Sequence, residues 1–167
     1  MGLLRKIACI IFSRLYFDII DGTAKINVRS RGMLSFIRVN KTGNLIIGQG
    51  TTIGPFTRIA CSQNMTIEKD VSIAQNCYIA DHQMDYKSKG HDRQVVKYYS
   101  RECIIKEGAW LGVGSVVLNS KIGKDSVVGA NSTVINFDVP NDHVFIGDSR
   151  LKYSLRKINY SKDTRNE

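Results

Sequence analysis

The sequence predicts an all-β fold, a solenoid of stacked parallel strands with a short helix before it and a basic tail after it. Three observations lead to this prediction. Aliphatic residues recur at every sixth position, the fifth position of many of these hexads is small, and the rhythm stops at one excursion, residues 85–101. A period of six does not fit one face of an α-helix and is too short for a hairpin strand with its turn.

The hexads group into coils. Three hexads close a triangular coil of about eighteen residues, in which the aliphatic side chains point inward and stacked coils pair as parallel strands. We therefore predict coils at 47–64, 67–84, 105–121 and 122–139, after an irregular, strand-like lead-in at 22–46. The residues do not fix the hand of the coil, and the general crossover rule favours a right-handed one. The inward aliphatic residues are Ile47, Ile53, Ile59, Ile67, Ile73, Ile79, Ile105, Leu111, Val117, Ile122, Val128 and Val134, and the small ones are Thr51, Thr57, Cys77, Ser115, Ser126 and Ser132.

The chain divides into three segments around this pattern. Residues 1–21 are predicted as an N-terminal helix, because their apolar residues follow helical spacing. Residues 22–149 form the β-helix domain, and 150–167 form a basic C-terminal tail. We expect the helix to cap the first coil, since solenoids need capped ends. The alternative for this basic, amphipathic segment is peripheral contact with a membrane.

Composition narrows the classes of partner. The chain has 167 residues and 43% hydrophobic residues, enough for one domain with a real core. A net charge of +9 fits an anionic partner or simply a basic surface. Nucleic acid is disfavoured, because the basic residues are scattered and no nucleic-acid-binding motif occurs. Four cysteines without a C-x-x-C pair, and no convincing secretory signal, favour a cytoplasmic location.

The C-terminal hexads contain sequence motifs that can be recognised. IIKEGAWLGVGSVVLNSKIGKDSVVGANSTV, followed by DVPNDHVFIGDSRLK, resembles the C-terminal half of the hexapeptide-repeat acyltransferases. Within them, ADHQMDY resembles the N-H-x-M-D segment of xenobiotic and streptogramin acetyltransferases, and the galactoside, maltose and capsular-polysaccharide O-acetyltransferases are similar in their coils. The resemblance implies a left-handed parallel β-helix, a homotrimer with active sites between subunits, acetyl-CoA as donor and a hydroxyl as acceptor.

The resemblance also implies a base for the acetyl transfer. Such a transfer needs a group that takes the hydroxyl proton, and a neutral imidazole suits this task. His82 stands where the chain leaves its coil and is the predicted general base. His91, inside the excursion, is the alternative base and a candidate acceptor contact, whereas His143 is interpreted as structural. Asp81 or Asp85 would orient His82 or contact the acceptor, unless each is a solvated corner carboxylate.

The same resemblance assigns the coenzyme and acceptor contacts. Trp110 is expected at the thioester end of the coenzyme and is counted as catalytic with His82. Gly112, Val113 and Ala130 would offer backbone groups to the pantetheine arm. The other expected contacts are Asn136, which stands beside the position of a missing family lysine, and the basic residues Arg150, Lys152 and Arg156 on the phosphates.

The excursion 85–101 is interpreted as the acceptor loop. It carries five Lys/Arg against two Asp, and it includes Tyr98. Tyrosines stack on sugar faces and basic groups suit a carboxylate or phosphate, so we expect a saccharide acceptor, and an anionic saccharide would suit the basic groups. An ordinary solvated loop is the alternative.

The predicted function is therefore an acetyl-CoA-dependent O-acetyltransferase that acts on a saccharide. A xenobiotic acetyltransferase with an antibiotic hydroxyl as acceptor is the nearest alternative. A zinc enzyme on a β-helix would need three histidines, and His143 is misplaced for that, so no metal is expected. A non-catalytic scaffold is a further alternative. Cys77 is not favoured as a nucleophile, because it occupies an inward position and nothing indicates thiolate activation.

Overall fold

The computed structural model describes residues 18–84 and 98–159, and all regular structure in these ranges is β. Nineteen strands are present in them. They are β1 (Ile19–Ile20), β2 (Thr23–Arg31), β3 (Phe36–Val39), β4 (Asn44–Ile53), β5 (Arg58–Cys61), β6 (Asn64–Ile67), β7 (Ser72–Ile73), β8 (Tyr78–Ala80), β9 (His82–Met84), β10 (Tyr98–Ser100), β11 (Cys103–Ile105), β12 (Trp110–Leu111), β13 (Val116–Leu118), β14 (Lys121–Ile122), β15 (Val127–Val128), β16 (Thr133–Ile135), β17 (Asp138–Val139), β18 (His143–Gly147) and β19 (Tyr153–Lys157).

These strands build a parallel solenoid of six coils with three faces, which confirms the predicted fold class. The first face is a six-stranded sheet in the order β1-β3-β5-β8-β13-β16. The second face runs β2-β4-β6-β11-β14-β17 and the third runs β2-β4-β7-β12-β15-β18. The long strands β2 and β4 belong to both, so these two faces form one sheet of eleven strands that also includes β19.

Three corners join the faces. The first corner joins the first face to the second, the second corner joins the second face to the third, and the third corner leads on to the first face of the next coil. Stacked corners are hydrogen-bonded to one another, as where the N–H of Asn131 donates to the carbonyl of Val113 at 2.8 Å. At the third corner, Leu34, Phe56, Asn76 and Asn131 all adopt positive φ between 55° and 59°.

The hexad pattern marks the core correctly. Every predicted inward aliphatic residue is at most 3% exposed, and the small residues at the fifth position are buried too. The buried hydroxyls are satisfied across the coils: the Thr51 hydroxyl donates to the Glu68 carbonyl at 2.9 Å, and the Thr57 hydroxyl donates to the Ala74 carbonyl at 2.8 Å. Buried polar groups without such partners would destabilise the prism.

The lead-in at 22–46 is more regular than predicted. It contributes to the first two coils, in which β2 pairs in parallel with β4 and β3 pairs in parallel with β5. The hexad rhythm is hidden in β2, because its register against β4 shifts between Ile26 and Val28 and again between Val28 and Ser30. Its inward side chains are also only partly buried.

The predicted helix 1–21 is wrong at its C-terminal end, and residues 1–17, with any membrane contact they make, lie outside the described residues. Residues 19 and 20 form β1, which pairs in parallel with Arg38 and Val39. The Asp18 carboxylate holds this segment extended, because it accepts bonds from the Arg31 guanidinium at 2.6 Å and from the Ile37 N–H at 2.9 Å. No helix in the described ranges has the length and apolar character needed to cross a membrane.

The described part of the basic tail, residues 150–159, contains β19. Strand β19 pairs antiparallel with β18, which places Tyr153 opposite Gly147 and Lys157 opposite His143. The Tyr153 ring stacks on the fully buried Phe145 ring with a centroid distance of 5.3 Å. The C-terminal end of the prism is thereby covered by the chain itself.

Candidate functional site

The chain leaves the solenoid at the first corner of the fourth coil. Strands β9 and β10 pair antiparallel, with His82 opposite Ser100, and they form the base of a hairpin. The N–H of Arg101 donates to the carbonyl of Asp81 at 3.1 Å and returns the chain to its coil. The tip of the hairpin, residues 85–97, is outside the described residues and includes two predicted acceptor contacts, Asp85 and His91. Tyr98 lies in β10, opposite Met84.

Asp81 is a buried carboxylate at the start of this hairpin. It is fully buried, and its oxygens accept hydrogen bonds from the N–H of Ser62 at 2.8 Å and of Gln63 at 2.7 Å. Burial acts to raise the pKa of Asp81, but the hydrogen bonds from His82, Gln63 and Ser62 outweigh it and hold the pKa below its usual value. Asp81 is therefore an ionised, fixed acceptor.

His82 is held by that acceptor. Its Nδ1 lies 2.9 Å from Oδ1 of Asp81, and its side chain is 17% exposed. A carboxylate can only accept, so Nδ1 carries the proton and donates it to this bond. In the neutral ring the lone pair that can take a proton is then on Nε2. The arrangement has the orientation required of a general base.

A cleft of about 800 Å³ opens beside His82, over the first face and the first corner. Neither Arg38 nor Arg58 was among the sequence-predicted site residues, yet both line it. Both occupy outward positions of β3 and β5, whereas the hexad repeat predicts only the residues that point into the prism. The lining residues are Leu34, Phe36, Arg38, Asn40, Thr42, Arg58, Ile59, Ala60, Cys61, Ser62, Gln63, Tyr78, His82 and Ser100.

The thiols near this site are unreactive in character. Burial raises the pKa of Cys61 and of Cys103 to about 12. Cys77 is buried as predicted, and its thiol donates to the Gly112 carbonyl at 3.3 Å. Only a thiolate is a good nucleophile, so acyl transfer through these cysteines is disfavoured.

The predicted coenzyme residues gather elsewhere on the prism. Trp110 lies in β12 on the third face with 54% of its surface exposed, paired with Val127 of the next coil. Gly112 and Val113 follow at the third corner, and Ala130 lies one coil further on. A Cβ on Gly112 would come within 2.6 Å of the Ala130 nitrogen, so the two coils approach too closely there for a side chain. Trp110, Val113 and Ala130 are exposed and Gly112 is buried; these four residues are called the Trp110 strip.

The C-terminal candidates divide into two groups. Arg150 and Lys152 follow β18, where Asp148 forms a bridge with Thr133 of the first face, so they lie past the third corner of the last coil. Arg150 forms a two-point ion pair with Asp148, with a shortest distance of 2.7 Å. Asn136 instead occupies the first corner, with φ of 51°, and does not join the Trp110 strip.

His82 and Trp110 are likewise separate within one chain. His82 belongs to the hairpin at the first corner, whereas Trp110 is on the third face. The Nδ1–H of His143 donates to the Asn141 carbonyl at 2.7 Å, because a carbonyl oxygen can only accept. Among the described residues, no group of three or more His, Cys, Asp or Glu is arranged to hold a metal ion.

Comparison with curated proteins finds two acetyltransferases, and no family model matches the chain. The galactoside O-acetyltransferase of Lactococcus lactis subsp. lactis (strain IL1403) is 42% identical over 64 residues, which are 38% of this chain and 30% of that protein. The serine acetyltransferase of Buchnera aphidicola subsp. Acyrthosiphon pisum (strain APS) is 27% identical over 126 residues, 70% of this chain and 42% of that protein. The matches thus span less than half of either relative.

Solved structures match over most of the chain. AntD, an N-acyltransferase from Bacillus cereus in complex with dTDP-4-amino-4,6-dideoxyglucose and coenzyme A, has a TM-score of 0.66 at 16% identity and covers 93% of this chain and 90% of its own. A hexapeptide-repeat acetyltransferase of Vibrio cholerae O1 biovar eltor, complexed with acetyl coenzyme A, has 0.60 at 20% identity, covering 93% and 79%. The polySia-specific acetyltransferase NeuO has 0.56 at 22% identity, covering 90% and 70%.

These neighbours share the coil architecture that the hexads predict. The residues that carry the resemblance occupy regular positions of the coils: the aliphatic residues lie inside the prism, and the Trp110 segment lies on its third face. The chain therefore has the fold of the hexapeptide-repeat acyltransferases.

Proposed function

We propose that this protein is an acyltransferase that moves an acetyl group from acetyl-CoA to a hydroxyl of a saccharide, with His82 as general base. The observation that carries the proposal is the pair of Asp81 and His82 at the wall of an open cleft. The two curated relatives are acetyltransferases, and two of the structural neighbours hold coenzyme A or acetyl coenzyme A. Saccharide chemistry recurs among them, in the galactoside enzyme and the polySia-specific one.

The proposed reaction uses His82 in both directions. Nε2 takes the proton from the acceptor hydroxyl as its oxygen attacks the thioester carbonyl, and the C–S bond then breaks. The imidazolium returns the proton to the departing sulfur, so that coenzyme A leaves as a thiol. Asp81 stabilises the imidazolium and keeps the ring in one tautomer, which a carboxylate with a lowered pKa can do throughout the cycle.

The coenzyme is proposed to lie along the Trp110 strip. The indole would cover the thioester end, and Val113 and Ala130 would offer backbone groups to the pantetheine amides. Gly112 offers none, because its N–H donates to the Val128 carbonyl at 2.8 Å and its carbonyl accepts from Ser115 and Cys77. In the hydrogen-bond network of residues 18–84 and 98–159, the N–H groups of Val113 and Ala130 donate to no protein acceptor. Lys152 would meet the phosphates at the C-terminal end of the prism, and Arg150 would join it by exchanging its ion pair with Asp148 for a phosphate contact. We leave Asn136 out of this contact set, because it lies at another corner.

We propose in addition that the chain forms a homotrimer, the assembly that the family resemblance implies. His82 and Trp110 are on different sides of one prism, so a complete site needs the His82 cleft of one subunit and the Trp110 strip of another. We also propose a cytoplasmic location, which fits a thioester donor made inside the cell and the free state of Cys61, Cys77 and Cys103.

Release of coenzyme A tests the proposed function. The purified protein is mixed with acetyl-CoA and a panel of neutral saccharides, acidic saccharides and streptogramin-type antibiotics, and free thiol is followed over time. We expect thiol release that depends on a saccharide and is lost in His82→Ala. Activity confined to the antibiotics would favour the xenobiotic alternative. A protein that binds no coenzyme A would favour a scaffold.

A further inference from the structure

The cleft beside His82 carries two arginines that the reaction itself does not use. We propose that Arg38 and Arg58 form an anion-binding subsite, so that the acceptor is a saccharide bearing a carboxylate or a phosphate. This inference rests on the proposed function and adds the chemical class of its acceptor.

The strand register brings the two arginines together. Arg58 of β5 pairs with Phe36 of β3, and Arg38 lies two residues further along β3, opposite Ala60. Neighbouring strands are roughly 4.8 Å apart and two residues extend roughly 6.6 Å, so the two Cα atoms are separated by roughly 8 Å. Side chains of this length converge on one anionic group at that separation. Ala60, between them and His82, leaves room for a ligand.

Among the described residues, no carboxylate balances the charge of these two arginines. Neither arginine forms an ion pair there, and the Nε of Arg38 donates only to the neutral Asn40 side chain, at 3.2 Å. In the described ranges no Asp or Glu lines the cleft, and the nearby Asp81 is fully buried and engaged by its own hydrogen bonds. Two neighbouring cations in a cleft attract and hold an anion.

Three other arginines each pair with an aspartate: Arg31 with Asp18 at 2.6 Å, Arg101 with Asp138 at 2.6 Å and Arg150 with Asp148 at 2.7 Å. Among the described residues Arg29 and Arg156 have no acidic partner either, but they do not line the cleft. Arg38 and Arg58 are therefore distinguished by lying together, without an acidic partner in the described residues, in the cleft of the candidate base.

The remaining walls suit a sugar ring. Phe36, Arg58 and Tyr78 lie side by side on three neighbouring strands, so an aromatic ring flanks Arg58 on each side. Asn40 and Gln63 add polar groups at the first corner. Aromatic faces pack on the C–H face of a pyranose while the guanidinium groups take its anionic substituent.

Binding without coenzyme tests the subsite directly. Calorimetry on the full chain uses a sialic-acid oligomer, a galacturonic-acid oligomer, the carboxyl-reduced form of each, and a nucleoside-diphosphate sugar. We expect an acid form to bind at least tenfold more tightly than its reduced form. Each arginine should increase the affinity for the acid form by about 10- to 100-fold through charge-assisted bonds. Preference for the nucleotide sugar would identify phosphate as the source of the anion.

Three variants make the test specific. The double change Arg38→Gln and Arg58→Gln should abolish the preference for the acid form, and Arg38→Lys with Arg58→Lys should keep part of it. Arg29→Gln, an exposed arginine outside the cleft, is the matched control and should bind as wild type does. Melting temperatures check that each variant is folded. Equal binding of acid and reduced forms, no binding of any probe, or full binding by the double Gln variant would overturn the subsite.

Turnover separates this inference from the proposed function. If an acid saccharide binds through the arginines but no saccharide releases coenzyme A, the transfer reaction is wrong and the subsite stands. If neutral saccharides are acetylated as efficiently as their acidic counterparts, the transfer reaction stands and the subsite is wrong.

Discussion

At the residue scale, Asp81 and His82 depend on each other. The sequence suggested Asp81 either as an orienting group or as an acceptor contact. Its carboxylate is fully buried and shared among His82, Ser62 and Gln63, so it has no surface to offer to an acceptor. We therefore assign it to positioning His82. The neighbouring first corner supplies the two backbone donors that keep the carboxylate ionised.

Replacing His82 with Ala tests the base. We expect turnover to fall by about 10²- to 10⁴-fold, the usual contribution of general acid–base catalysis. Coenzyme A affinity should not change, because the side chain lies away from the Trp110 strip. The melting temperature should fall modestly, because the buried Asp81 carboxylate loses one hydrogen bond but keeps those from Ser62 and Gln63. His143→Ala, on β18, is the matched control. Retention of most turnover in His82→Ala, or its loss in His91→Ala, would identify another base.

Replacing Asp81 with Asn tests the buried carboxylate through acid unfolding. Because the pKa of Asp81 is lowered by folding, its ionised form stabilises the protein above the ordinary value of 3.8, and this contribution is lost as the pH falls through the lower pKa of the folded state. An Asn amide also turns an N–H₂ toward backbone donors. Asp81→Asn should melt well below wild type at pH 7, and the gap should narrow below pH 3.8.

The exposed Asp21 provides the comparison for this experiment. Asp21→Asn should melt as wild type does at pH 7, because its side chain is exposed. Parallel loss of stability by Asp81→Asn and wild type between neutral and acid pH would show that Asp81 carries no folding-linked charge.

At the scale of the strands, the sequence predicts what points inward and little else. Ile59 and Ile79 predict β5 and β8, because the inward positions of the prism are aliphatic and buried there. Arg38 and Arg58 occupy outward positions of the same face, where the repeat places no restriction, so the cleft could not be predicted. Strand β19 was missed for a related reason: it is antiparallel and lies outside the hexad register.

The closing strand gives a test of packing at the end of the prism. Phe145 is fully buried against Phe137 and Tyr153, with ring centroids at 5.6 and 5.3 Å. Phe145→Ala should lower the free energy of unfolding by about 3–5 kcal/mol, through lost burial and a cavity. Leu151→Ala removes a side chain that is 85% exposed and should change it by less than about 0.5 kcal/mol. Denaturant titration measures both.

The part of the chain that loses stability in Phe145→Ala can also be predicted. Coils of a solenoid contact only their neighbours, so the loss should be concentrated in the last coils. Amide exchange in Phe145→Ala should accelerate most in β15, β18 and β19 and least in β3 and β5. Uniform acceleration along the chain would show that the solenoid unfolds as a single unit.

At the scale of the whole molecule, the solenoid accommodates the hairpin because insertion occurs at a corner. On one side of the insertion, β8 still pairs with β13, and on the other β11 still pairs with β6. The strand ladders therefore continue past the excursion without a gap. The paired strands on both sides of the hairpin hold Asp81, and through it His82, in place.

The assembly is tested first by mass and by one substitution. Light scattering should give three times the 18.7 kDa of one chain. Trp110→Ala should raise the apparent constant for acetyl-CoA more than that for the acceptor, because the proposed role of the indole is to cover the coenzyme. A monomer mass would remove the basis for a site between subunits.

Mixing two defective variants tests the shared site itself. If the base comes from one subunit and the indole from its neighbour, a mixed trimer can pair an intact His82 cleft of a Trp110→Ala chain with an intact Trp110 strip of a His82→Ala chain. Random reassembly of equal amounts makes about a quarter of all sites intact in a closed ring of three. We therefore expect activity at low acetyl-CoA to recover to about a quarter of wild type, while each variant refolded alone stays defective. A mixture no more active than its components would place both residues in a site within one chain, contrary to their positions on different sides of the prism.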